Sequence, residues 1–240
     1  MGLYIARLHG MSEMLTPCRE TPPLLISMHM EKCGGTSLDR LLRKVYGEGF
    51  CLYDPGPPES QQEPDFPPST RCVHGHMFYG LHDYFPGQQC LYVTLLRDPV
   101  ARFLSNFDHL RRFEHPLQSL ARGRGGLDRF SRSSEARHYR NLFVRRLSGA
   151  REDVGEADVD RAEQVIRDFA VVGVLERVDA FIASCISLLD WPDVPFGRHN
   201  ASPANRGLAA ELGEGGLELV REANRWDLEL MSRLGDVIIR

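Results

Sequence analysis

The stretch from Leu24 to Val45 limits the possible folds more than any other part of this chain. Leu24-Leu25-Ile26 is a short apolar run, and Ser27 to Ser37 then reads Ser-Met-His-Met-Glu-Lys-Cys-Gly-Gly-Thr-Ser. Beyond it, Leu38, Leu41, Leu42 and Val45 fall at i, i+3, i+4 and i+7, the single apolar stripe of an amphipathic helix. Gly47 and Gly49 stop that helix. A strand, a glycine loop and a helix in this order build an anion cradle. The glycines let the backbone curl so that N–H groups converge, and the helix N-terminus adds a positive field. Lys32 adds a full charge at the mouth, which makes Lys32, Cys33, Gly34, Gly35, Thr36 and Ser37 the candidate anion-binding residues. The plain alternative is an ordinary strand–turn–helix with incidental glycines.

The order of residues in the loop narrows the choice of anion. In the Walker loop G-x-x-x-x-G-K-[ST] the Lys follows the second glycine. Here Lys32 precedes both, so a nucleoside triphosphate loop fails on spacing. A second strand signal follows at Cys90 to Leu96 (Cys-Leu-Tyr-Val-Thr-Leu-Leu), apolar and β-branched. Arg97 stands at its end, and Asp98-Pro99 supplies a helix N-cap with Pro at the first helical position. Val100, Phe103, Leu104, Phe107 and Leu110 form the apolar face of the next helix. An Arg at a strand's carboxyl end can clamp a phosphate through two N–H groups, and Ser105 can add a hydroxyl donor. Pairing of Arg97 with Asp98 or a nearby carboxylate is the alternative. Between the two segments, His74-Gly75-His76 offers imidazoles suited to proton transfer near neutral pH. By itself H-x-H is equally a metal pair or two surface histidines.

Taken together, these segments resemble sulfotransferases that use 3′-phosphoadenosine 5′-phosphosulfate (PAPS). His29-x-Glu31-Lys32-x-Gly34-Gly35-Thr36-Ser37 is similar to the family's 5′-phosphosulfate loop, commonly H-x-P-K-x-G-G-T-S, with Glu31 standing where Pro is more usual. Arg97-Asp98-Pro99-x-x-Arg102-x-x-Ser105 is similar to its 3′-phosphate segment, R-D-P-x-x-R-x-x-S. His74-Gly75-His76 resembles the H-G-H element of heparan and uronyl 2-O-sulfotransferases. The resemblance implies a P-loop-like α/β three-layer sandwich, with a central parallel sheet and helices on both faces. It implies transfer of a sulfuryl group from PAPS to a hydroxyl of a sugar or glycosylated metabolite, releasing 3′,5′-ADP, without a metal. In that reading His74 is the base, His76 positions the acceptor, Lys32 stabilises the leaving phosphate, and Arg97 and Ser105 hold the 3′-phosphate. Arg198 and Asn200, in the polar loop Arg198 to Pro203, are further candidates for the cofactor. Asn141 to Gly149 is similar to a helix that relatives place near the acceptor. An ATP-dependent P-loop kinase and a non-catalytic nucleotide-binding relative are the rival readings.

At 240 residues and 42% hydrophobic content, one domain spanning 1–240 is expected, with 1–22 as a poorly structured segment. Residues 54–70 form a loop, since six prolines between Asp54 and Pro68 forbid a regular element. That loop is read as an insertion rather than a lid. Ala121 to Arg132, rich in Gly and Arg, reads as mobile. Helical spacing over Asp158 to Phe169, a strand over Ala170 to Glu176 and a helix from Leu217 complete the scaffold. The net charge is −4, yet Arg97 to Arg151 holds thirteen arginines against five carboxylates, a local field that suits anionic partners. Basic residues are not interleaved with aromatics, which argues against nucleic acid. Six cysteines show no framework spacing, and no eighteen-residue apolar run occurs, so a reduced cytoplasmic setting is expected. Two lysines against twenty-seven arginines hint at a GC-rich bacterial genome.

Overall fold

In the computed structural model, residues 22–55, 64–197 and 204–235 are described. Strand β1 (Leu24–Met28) leads through the glycine loop into helix α1 (Gly35–Tyr46), followed by β2 (Phe50–Leu52), β3 (Cys72–Gly75) and β4 (Cys90–Leu96). Helices α2 (Pro99–Arg112), α3 (Gln118–Ala121), α4 (Gly126–Arg132), α5 (Leu142–Ser148) and α6 (Glu156–Arg167) come next. Strand β5 (Val171–Val174), α7 (Val178–Leu189), α8 (Ala204–Ala223) and α9 (Arg225–Arg233) complete the chain. All strand pairs are parallel, in the order β2-β3-β1-β4-β5. This is the α/β sandwich expected from the sequence.

Alternation along the strands divides the core into two layers. Leu24, Ile26 and Met28 of β1, Val73 of β3, Tyr92 and Leu96 of β4 and Val172 of β5 face α5, α6 and α9. The intervening residues Leu25, Cys72, Val93, Leu95 and Val171 face Leu38, Leu41 and Leu42 of α1 and Phe181, Ile182 and Cys185 of α7. With both faces covered, the central strands β1 and β4 read as mostly apolar, while edge strand β2 stays half-buried. A third cluster around Phe103, Phe107 and Phe130 joins α2, α3, α4 and α8.

The strand order decides where the site lies. After β1 the chain crosses toward β2 on one side, and after β4 it crosses toward β5 on the other. The crevice between such diverging connections, beyond the carboxyl ends of the two central strands, is where open parallel sheets take ligands. The loop after β1 and Arg97 after β4 both end there.

Two sequence expectations change. The segment Ala121 to Arg132 is not a loose loop: α4 buries Leu127 and Phe130 against α2, so its apolar pair outweighs its glycines. The helix foreseen from Leu217 is two helices, α8 with a break at Gly213 and α9 beginning at Arg225. Of the proline-rich segment, residues 64–70 are an ordered loop in which Phe66 packs on Tyr53 and Phe85. The segment 1–21, residues 56–63, and Arg198 and Asn200 lie outside the described residues. Cys33, Cys51, Cys72, Cys90 and Cys185 are free thiols. No helix among the described residues is long and apolar enough to cross a membrane.

Candidate functional site

The glycine loop turns through two left-handed residues, Lys32 at φ 66° and Gly34 at φ 85°. Gly34 accepts that geometry without strain, whereas Lys32 holds it against an intrinsic preference of about 1 kcal/mol or more. Gly34 also caps α1: its carbonyl accepts from Ser37 and Leu38 N–H. The amides of Gly35 and Thr36 donate to no carbonyl among the described residues, so the first turn of α1 presents them forward. A Cβ on Gly35 would lie 1.9 Å from His29 Nε2. The imidazole of His29 therefore rests directly on the loop, at a position only glycine leaves open.

Arg97, at the end of β4, donates from Nη1 to the carbonyl of Lys32 at 3.2 Å, and its Nε has no acceptor among the described residues. Glu176 stands 3.9 Å away. Asp98 is used locally, its Oδ1 accepting Ala101 N–H at 2.7 Å as the cap of α2. Burial, with Arg97 beside it, lowers the Lys32 ammonium, and Asp108 on α2 opposes that drop. Ser105 lies half-buried on α2, two turns past the cap. Arg102 is entirely buried, donating from Nη2 to Tyr139 O at 2.6 Å and Asn224 Oδ1 at 2.9 Å.

Three imidazoles meet above the loop. The ring of His29 stacks on His74 with centroids 5.4 Å apart and lies 4.7 Å from His76. His74 is inside the sheet. It pairs with Ser27 across β1 and β3, its Nδ1 3.0 Å from Ser27 Oγ, and only 2% of it is exposed. Burial drives its pKa down to about 4. His29 is lowered well below 6.5 by burial and then by its two imidazole neighbours. His76 lies just past β3 and is one-third exposed, its Nδ1 3.2 Å from Asp54 Oδ2. Of the two histidines singled out in the sequence, His76 is the one a ligand can touch.

Glu31 extends the site toward α5. Its Oε1 accepts from Arg146 Nη2 at 2.6 Å, and its Oε2 is buried without a partner among the described residues. Burial opposes ionisation of this carboxyl, but Arg146 and then His76 hold it below its ordinary value. Arg146 and Arg151 both lie over the Phe78 ring, at 4.8 and 3.8 Å. Asn141 to Gly149, noted in the sequence, thus reaches the site through Arg146.

The structure brings together Lys32, Cys33, Gly34, Gly35, Thr36, Ser37, His74, His76 and Arg97, and sets Ser105 on the adjoining helix. Cys33 is buried with its thiol pushed up by burial, so it serves the loop through its backbone. Sequence reasoning gave no role to His29, Asp54, Glu31 or Arg146. His29 had a signal, directly after the end of β1 in the loop itself. The other pairings span 22 and 115 residues and leave no local trace. A cavity of about 540 Å3 also opens at the opposite, amino end of the sheet, lined by Tyr79, His82, Phe85, Tyr92 and Asp168 among others. It contains none of these groups. No protein-family model matches the chain, and no curated protein matches its sequence.

Proposed function

We propose that this chain is a PAPS-dependent sulfotransferase acting on a hydroxyl of a sugar or glycosylated metabolite. The observation that carries the reading is the meeting of the left-handed Lys32 loop, Arg97 and a partly exposed imidazole at the carboxyl ends of β1, β4 and β3. The amides of Gly35 and Thr36 and the Nε of Arg97, which has Glu176 at 3.9 Å, have no hydrogen-bond acceptor among the described residues, the complement an oxyanion needs.

PAPS supplies the activated sulfuryl group. The amides of Gly34, Gly35 and Thr36, together with Lys32, hold its 5′-phosphate and stabilise charge on the leaving oxygen, which suits a preorganised cation and dipoles. The Cys33 and Ser37 amides, expected from the sequence to join them, already donate to Met30 O and Gly34 O. Arg97, with Ser105, holds the 3′-phosphate. An imidazole takes the acceptor's hydroxyl proton. The resemblance gives that task to His74, but His74 is sealed in the sheet with its Nδ1 on Ser27. The geometry favours His76, partly exposed and free at Nε2 among the described residues. His74 then supports β3, and His29 fixes the His76 ring from the side.

Calorimetric titration with 3′,5′-ADP against ATP–Mg2+ tests the cofactor, with only the former expected to bind tightly. Transfer of labelled sulfate from PAPS onto a panel of glycans tests the reaction. In that assay His76→Ala should lose about 10²–10⁴-fold in kcat while 3′,5′-ADP affinity stays within twofold. Tight ATP–Mg2+ binding with none to 3′,5′-ADP would transfer the site to the kinase reading.

A further inference from the structure

We infer that Asp54 is the positioning residue of His76, selecting the tautomer that leaves Nε2 unprotonated and aimed into the crevice. The inference rests on the sulfotransferase reading for its catalytic consequence, though not for its geometry.

The backbone brings the two together. Beyond β2 the chain stays clamped to β3: Tyr53 N–H donates to His74 O at 2.8 Å. Tyr53 then passes directly across Gly75, where a Cβ would lie 1.7 Å from the Tyr53 carbonyl oxygen. Gly75 itself sits at φ 156°, at the limit of what a side-chain-bearing residue adopts. Only glycine permits this crossing, and the crossing delivers Asp54 to the edge of the His76 ring. There Asp54 Oδ2 lies 3.2 Å from Nδ1. On the ring's other side His29 stands 4.7 Å away at an interplanar angle of 31°, so the ring is held at an edge and on a face.

A carboxylate only accepts hydrogen bonds, so Nδ1 must carry the hydrogen when it bonds to Asp54. The neutral ring then has its lone pair on Nε2. When a proton arrives at Nε2, the Asp54 charge steadies the imidazolium without itself taking the proton, as the carboxylate of a Ser-His-Asp triad does. The pair is exposed, with 57% of the Asp54 side chain open to solvent, so its contribution to folding is small. Its consequence lies in orientation rather than stability, which separates this role from a structural one.

The test compares wild type with Asp54→Ala, Asp54→Asn and Asp54→Glu. Nitrogen-15 spectra of the His76 ring, recorded on the full chain without PAPS, read the tautomer directly. The wild-type ring should be protonated at Nδ1, Asp54→Ala should mix the tautomers, and Asp54→Glu should restore the wild-type pattern. In sulfate transfer from PAPS to the best acceptor of the glycan panel, kcat should fall by about 10–100-fold in Asp54→Ala, the usual effect of removing an orienting partner. KM for PAPS should hold, and Asp54→Glu should recover most of the rate. A wild-type ring protonated at Nε2, or unchanged kcat in Asp54→Ala, overturns the inference. Failure of the wild type to transfer sulfate refutes the sulfotransferase reading and leaves the tautomer result to judge Asp54 by itself.

Discussion

Acidification from pH 7 to 4.5 should weaken the fold through His74 by a calculable amount. This ring is buried between β1 and the α1 layer, and its pKa lies near 4 against 6.5 for a free histidine. The folded state therefore declines a proton that the unfolded chain accepts. Between pH 6.5 and 4 the unfolded state binds more protons, so stability falls as pH falls through that window and the loss is complete near pH 4. At about 1.4 kcal/mol per unit of displacement, the full effect is about 3 kcal/mol. His29 adds to the loss in the same direction. Asp227 opposes it, because burial raises its carboxyl to about 6 and the folded state holds a proton that the unfolded chain releases. Wild-type acid unfolding therefore mixes opposed contributions, and only the difference between two proteins isolates His74. Urea unfolding followed by tryptophan fluorescence, at half-unit steps from pH 7 to 4.5, should be run on wild type and His74→Gln. Glutamine keeps a polar partner for Ser27 and removes the titration. The wild-type curve should be steeper by about 1.4 kcal/mol per pH unit below pH 6, whatever the variant loses at pH 7. Parallel curves would show that His74 titrates normally and that the sealed geometry is mistaken.

Arg97→Ala should weaken 3′,5′-ADP by about 10–100-fold, the value of a charge-assisted contact, and Ser105→Ala should do so more mildly. Calorimetry on the folded variants checks both. Lys32→Ala should lower kcat for sulfate transfer by about 10²–10³-fold with a smaller rise in KM for PAPS, since its charge is most needed as the leaving group forms. A steady kcat with raised KM would make it a ground-state anchor. Gly35→Ala puts a methyl group 1.9–2.6 Å from three ring atoms of His29. Thermal unfolding should show a loss of about 1–3 kcal/mol for this overpacking, together with loss of the shift given by 3′,5′-ADP.

What the sequence revealed was local. The apolar stripe of α1 and the Asp98-Pro99 start of α2 are written within a few residues, and both helices form where the spacing placed them. Cys90 to Leu96 was legible as a buried strand because a strand covered on both faces loses its polar alternation, whereas the parallel order of the sheet was an expectation from the resemblance. The roles of His74 and His76 were not legible, because they depend on where β3 ends. His74 is the last side chain inside the sheet and His76 the first beyond it. Gly75, which makes that division, does so through a contact with Tyr53 22 residues earlier. Arg102 looked like a motif residue, yet its partners include Asn224, 122 residues away. Ala121 to Arg132 was misread because glycine and arginine content hides Leu127 and Phe130, which hold α4 in place.

The C-terminal helices explain how so charged a site stays ordered. Asn141 Oδ1 accepts from Trp226 and Asp227 N–H at the start of α9, and Asp227 in turn accepts from Phe143 and Val144 N–H at the start of α5. Each helix start is thereby capped by a side chain of the other. Asn224, between α8 and α9, accepts from Arg102 and from Asn141 N–H. Arg102 is thus fixed from behind, within electrostatic reach of Glu31, Cys33 and Arg97. Its Nε and Nη1 are buried with no acceptor among the described residues, and buried donors of this kind are normally expensive to leave unmatched. Together with Arg97 Nε they leave N–H groups without a hydrogen-bond acceptor around the loop, their charge offset in part by Glu176 beside Arg97, Asp227 behind Arg102 and Glu31, which Arg146 already engages. A helix pair that caps its own ends can hold such an arrangement rigid while Asp227 offsets only part of its charge. In the proposed reaction this is what the cradle requires: a positive field set during folding, which does not have to reorganise as the phosphate oxygen gains charge.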